Sequence, residues 1–140
     1  MSIQQSLLEP AQGATTDIAL TAVLKGGKVT IEGDRSPVSL SKDEPPRRFN
    51  FSLTDNTGLG VQFKSLDTQD NWSKCPPAAG ENSSQITGTT IAPDGLSAAF
   101  TDNNGNKGQM AVCYQWNFQC SDASKLPITF DPIINNGGRS

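Results

Sequence analysis

The chain has 140 residues, with 11 Lys and Arg against 14 Asp and Glu, so at a formal charge of −3 it lacks the cationic surface that nucleic acid or an anionic membrane would demand. One domain accounts for this length, and 34% hydrophobic residues with 13 Gly and 9 Pro point to short strands and many turns. There is no histidine, which removes the commonest general base and the commonest metal ligand.

Residues 1–16 carry little periodicity and read as a mobile arm, leaving residues 17–137 as a single folded domain. The arm has neither a basic stretch nor an apolar run of leader type, and no segment approaches a membrane span, so the expected location is the cytoplasm. Alternation begins at Ile18, Leu20, Ala22 and Leu24; Gly26-Gly27 turns the chain, and Val29 with Ile31 returns it as a hairpin. Val38 and Leu40 give a short strand before Pro45-Pro46, which cannot lie inside a central strand. Arg47-Arg48 then reads as a solvated strand entrance. Phe49, Phe51 and Leu53 open the next strand, and Asp55 to Gly58 turn it onto Leu59, Val61 and Phe63 as a second hairpin.

The longest irregular stretch runs from Asp67 to Gly88, anchored by Trp72 and Cys75 and extended by Pro76-Pro77. Pro93-Asp94-Gly95 marks a turn, and Leu96, Ala98 and Phe100 a strand. The Asn- and Gly-rich segment from Asp102 to Gly108 reads as a hairpin loop leading into the clearest element of the chain, residues 109–120. There Met110, Val112, Tyr114, Trp116, Phe118 and Cys120 share one face, while Ala111, Cys113, Gln115, Asn117 and Gln119 share the other. A last strand carries Leu126, Ile128 and Phe130. The predicted core is Phe49, Phe51, Val61, Phe63, Phe100, Val112, Tyr114, Trp116 and Phe118.

Short strands at regular spacing without intervening helices predict an all-β, antiparallel, immunoglobulin-like β-sandwich of about 7–9 strands. The terminal motif Ile128-Thr129-Phe130-Asp131-Pro132-Ile133-Ile134-Asn135-Asn136-Gly137 resembles the signature that closes a small bacterial family called DP-EP. The order of features is also similar, with Phe49-Asn50-Phe51-Ser52-Leu53 ahead of the Asp102-Asn103-Asn104 turn and the aromatic strand. Where that family carries Glu-Pro, this chain has Asn136-Gly137. The resemblance covers residues 17–137 and implies a β-sandwich without an assigned activity; sandwich proteins of bacterial inclusion bodies are a second, more distant resemblance.

Chemistry is sparse. No phosphate loop, dinucleotide fingerprint, nucleophile elbow or zinc-type cysteine pair occurs, and the acids Asp67 and Asp70 read as solvated rather than catalytic, so an enzyme is not expected. Asp102-x-Asn104-x-Asn106 resembles half a calcium loop, but Lys107 and Cys113 stand where Gly and Glu would be needed, so no metal or cofactor is expected. Asn50, Asn71 and Asn82 open Asn-x-Ser sequons that carry no weight without a secretory leader. Asp131-Pro132 reads as a strand terminator. Three cysteines leave at least one thiol unpaired and favour a reducing compartment; of the pairs, Cys75 with Cys120 is freer than Cys113 with Cys120, which face opposite ways.

Two readings of function compete. The first is a non-enzymatic sandwich acting by self-association, as a homo-oligomer, or by binding a protein partner, because an open sandwich has sheet edges and only Pro37, Pro93 and Pro132 stand out as edge protectors. The alternative is a small-ligand or carbohydrate-binding module using the 67–88 loop, with Trp72 as the stacking surface.

Overall fold

The structure, a computed structural model, describes residues 14–140; most of the segment read as an arm therefore lies outside the described residues, and Thr15 and Thr16 already belong to the first strand. Ten strands follow in chain order: β1 Thr15–Lys25, β2 Lys28–Glu32, β3 Val38–Leu40, β4 Arg47–Asp55, β5 Gln62–Asp70, β6 Ile86–Ile91, β7 Ser97–Asp102, β8 Met110–Gln119, β9 Thr129–Phe130 and β10 Ile133–Asn136. They form two packed sheets, ordered β2-β1-β4-β7-β6 and β3-β10-β8-β5, with β9 pairing β8 beside β10. The fold is an all-β sandwich.

The alternation of β8 sets the inward face. Trp116 and Val112 are fully buried, Tyr114 and Phe118 nearly so, whereas Gln119 is exposed and Gln115 and Asn117 half-buried. All nine predicted core residues are buried, and all but Val112 fall in one contiguous cluster. Trp116 is its hub. Its ring lies 5.0 Å from Phe63 and 5.4 Å from Phe51, both edge-on, the arrangement that the ring quadrupoles favour.

The β1–β2 hairpin forms as expected, since Gly26 and Gly27 both take positive φ (57° and 77°), which a two-residue turn between twisted strands requires. The other two expected hairpins are corrected. β4 lies in the first sheet and β5 in the second, and β7 and β8 are likewise split, so residues 56–61 and 103–109 are arches between layers. Alternation cannot distinguish the cases, because a hairpin and an arch both return an apolar face to the same core.

Asp55 closes the first arch, accepting from the N–H groups of Thr57 and Val61 and from the Thr57 hydroxyl. Partial burial pushes its carboxyl up, but these hydrogen bonds outweigh that effect and hold it below the usual carboxylate range. Its stabilising contribution is therefore present above the unfolded value of 3.8 and is lost as pH falls through the lower folded value.

The expectation of a purely antiparallel sandwich is also corrected: β1 runs parallel to β4, and β3 parallel to β10. Strand β10 is absent from the sequence reading because Asp131-Pro132 stood as a terminator. Instead Pro132 sits at a kink, its carbonyl accepting from Tyr114 N–H, and the chain continues along β8. Arg47 is not simply solvated, since its guanidinium forms a two-point pair with Glu44. Arg48 reaches across the first sheet to the Gly88 carbonyl and the Thr101 hydroxyl.

Candidate functional site

The outer face of the second sheet is built from the polar half of the β8 alternation. Its cross-strand partners supply matching groups, Asp67 opposite Gln115 and Ser65 opposite Asn117 from β5, and Asn135 opposite Ala111 from β10. A hydrogen-bonded row results: Gln115 Nε2 donates to Asn117 Oδ1, and Asn117 Nδ2 donates to both Asp67 Oδ2 and Ser65 Oγ. Asp67 and Asp70 are not brought together, because residues three apart on a strand point to opposite faces.

The segment after β5 lies against this face. Asn71 N–H donates to the Ala111 carbonyl at 2.8 Å, and Gly80 N–H to Asp67 Oδ1 at 2.9 Å. Thr68 N–H donates to the Glu81 carbonyl, and Ser83 N–H to the Thr68 hydroxyl. Between these ties, Cys75 and Cys113 form a disulfide. One thiol is left unpaired as expected, but the expectation of Cys75 and Cys120 as the freer pair is corrected here. Cys113 points away from the core, which is the side on which the loop returns, whereas Cys120 packs partly against the core and stays a free thiol.

The pinned loop leaves a cleft on either side. One, of about 570 Å³, lies between Asn71 and the ends of β3, β8 and β10, and its polar lining is Ser39, Asn71, Gln109, Asn135 and Asn136, with no charged side chain among the described residues. The other, of about 410 Å³, lies over Ser65, Asp67, Gln115 and Asn117 and is bordered by Lys64 and Leu126. Trp72, the predicted ligand-binding residue, follows Asn71 and opens a short 3-10 turn at Trp72–Lys74; its side chain lies outside the described residues. Asn71, Gln109 and Asn135 were not read from the sequence as cleft residues, and the signal available for Asn71 was its place beside Trp72 in a long loop. Asn71 takes a positive φ of 76°, a conformation that asparagine tolerates better than most residues.

The Asp102-x-Asn104-x-Asn106 segment does not present its side chains to solvent. Asp102 and Asn104 are fully buried, and Asn106 nearly so. Asn104 Nδ2 donates to the carbonyls of Ser41 and Glu44, while its Oδ1 accepts from Gly138 N–H. Asn136 Nδ2 donates to Asp102 Oδ1 and to Asn106 Oδ1. These amides tie the second arch to the C-terminal strand. Gly138 is required there, since a Cβ would lie 1.9 Å from the Gly108 carbonyl oxygen.

No protein-family model matches the chain, and a search of curated proteins finds no match. Among solved structures the chain is similar to the inclusion body protein PixA from Burkholderia cenocepacia J2315, at 11% identity and a TM-score of 0.35, over 91% of this chain and 94% of that one. A likeness of that degree assigns neither family nor function. Among the described residues no helix is long and apolar enough to cross a membrane.

Proposed function

We propose that the protein is a non-catalytic binding module whose site is the cleft between the stapled loop and β10, and whose ligand is a neutral, hydroxyl-rich molecule of the carbohydrate class. The observation that carries this reading is the uncharged, amide-rich lining of a cleft whose loop is fixed in advance by a disulfide. An amide both donates and accepts, as a sugar hydroxyl does, whereas a charged ligand would find no counter-charge among these side chains. The volume lies within the range of about 300–1,000 Å³ usual for small-molecule sites. A loop already held by covalent and hydrogen bonds loses little freedom on binding. Use of Trp72 as a stacking surface belongs to this proposal, as does action without catalysis, which the lack of histidine favours. The disulfide fits an oxidising compartment better than the cytoplasm first expected, because cytosolic thiols are kept reduced.

Self-association is the second reading, and one observation redirects it. The β5 edge is occupied at Phe63 by the Gly95 carbonyl and at Thr68 by that of Glu81, and β6 carries a register shift between Thr87 and Thr90. With those two of the four edges blunted, this reading seats a second copy on the outer face of the first sheet, where small residues such as Ala19, Ser52 and Ser97 leave shallow grooves about Asn50.

Calorimetric titration with a panel of neutral oligosaccharides tests the first reading. At least one should bind, and Asn135→Ala, at an exposed position, should weaken it about tenfold through the loss of a hydrogen bond worth roughly 1 to 1.5 kcal/mol. Absence of binding at millimolar saccharide, together with a concentration-dependent dimer in sedimentation, would favour the second reading instead.

A further inference from the structure

Among the described residues, two of the buried polar atoms without a partner lie behind the cleft, where the arch from β7 to β8 meets β10. Asp102 has no exposed surface and Asn136 only 2%. Asp102 Oδ1 accepts from Asn104 N–H at 2.9 Å and from Asn136 Nδ2 at 2.8 Å, but among the described residues neither Asp102 Oδ2 nor Asn136 Oδ1 has a partner. Two buried acceptors thus lack donors, on side chains already joined by one hydrogen bond.

The surrounding charges compensate an ionised Asp102 only in part, through the Arg47 guanidinium. Arg47 stands opposite it in the β4–β7 register, but its guanidinium is engaged by Glu44 and by the Thr16 hydroxyl. Asp70, from β5, adds like charge. The arch and β10 contribute Asn104, Asn106 and Asn136, all neutral. A buried carboxylate without a paired cation is among the costliest arrangements a core can hold, and it is relieved most directly by taking up a proton.

We propose that Asp102 is a neutral carboxylic acid in the folded protein at neutral pH, its Oδ2 proton donated to Asn136 Oδ1, so that acid and amide form a two-point latch holding β10 against the β7–β8 arch. One proton supplies both missing partners, since it makes Oδ2 a donor and gives Asn136 Oδ1 something to accept. Burial, with a smaller contribution from the Asp70 charge, pushes this carboxyl above the usual carboxylate range, against the opposing pull of the hydrogen bonds from Asn104 and Asn136 and of the Arg47 charge. The latch contribution is accordingly complete below the unfolded value of 3.8 and is lost as pH rises through the higher folded value. Asn135, Asn136 and Gly137 line the larger cleft, so ionisation of Asp102 loosens one of its walls. That last consequence rests on the binding reading; the protonation state does not.

The test is a carbon-13 titration of the aspartate carboxyls in the full chain, with Asp102 assigned by its loss in Asp102→Asn. The Asp102 resonance is expected to keep the protonated position at neutral pH, whereas a resonance titrating near 3.8 overturns the proposal. Asp102→Asn, whose amide can donate in place of the proton, should stay as stable as the parent at neutral pH and lose the decline on raising pH; Asp102→Ala should be destabilised at every pH. Equal destabilisation of both variants contradicts the latch. If the asparagine variant does not fold, the parent carboxyl resonance, assigned through its backbone connectivity, still decides. If no saccharide binds any form while Asp102 stays protonated, the binding reading fails and the latch stands.

Discussion

Trp116→Ala is expected to cost about 3 to 5 kcal/mol in urea or thermal unfolding, because it removes the ring against which Phe51, Phe63 and Phe100 pack and leaves a cavity between two sheets that cannot close on it. Trp116→Phe should cost less than half as much. It retains an aromatic ring in contact with the same neighbours, and it removes an indole N–H that is buried without an acceptor among the described residues. A loss below about 1 kcal/mol for the alanine variant would mean that β8 does not turn its aromatic face to the core.

Loss of the Cys75–Cys113 bridge, by Cys113→Ala or by reduction, is expected to lower stability by about 4 kcal/mol on the chain-entropy account, because the bridge closes a loop of 38 residues. The thermal midpoint should fall by about 10 °C or more. Cys120→Ser should have little effect, as that thiol is unpaired. Thiol titration of the denatured, unreduced protein should find only Cys120; reactivity at all three cysteines would contradict the bridge.

The core was legible in the sequence because period-two alternation reports directly which side chains face inward. The β8 face from Val112 to Phe118 is the strongest case: six or more alternating residues leave only one register that buries the aromatics. Connectivity was less legible. The Asp55 and Asp102 segments have the composition of hairpin loops, yet they join different layers, and Asp102 bonds to Asn136, more than thirty residues further on. Such partners are set by tertiary position, which local composition does not record.

The site was legible only in outline. The long segment around Trp72 was marked as the place to look for binding, and its ordering by the disulfide and backbone ties was not foreseen. The disulfide depends on Cys113 lying on the outer face, a fact contained in the alternation, and on the loop returning to that face, a fact that is not. Asn135 and Asn136 gave no local signal, since their roles come from β10 lying between β3 and β8. Both adjacent amides border the open cleft, but Asn135 is exposed whereas Asn136 is buried with its side chain bonded to Asp102, the consequence of neighbouring strand residues facing opposite sides.

The most direct test of a preformed, amide-lined binding cleft is a nitrogen-15 NMR titration of the oxidised and the reduced protein with the oligosaccharide panel. Shifts in the oxidised form should cluster at the backbone and side-chain amides of Asn71, Gln109, Ala111 and Asn135, and reduction of the Cys75–Cys113 bridge should weaken or abolish them. Shifts confined to the outer face of the first sheet, or a response unchanged by reduction, would contradict the account.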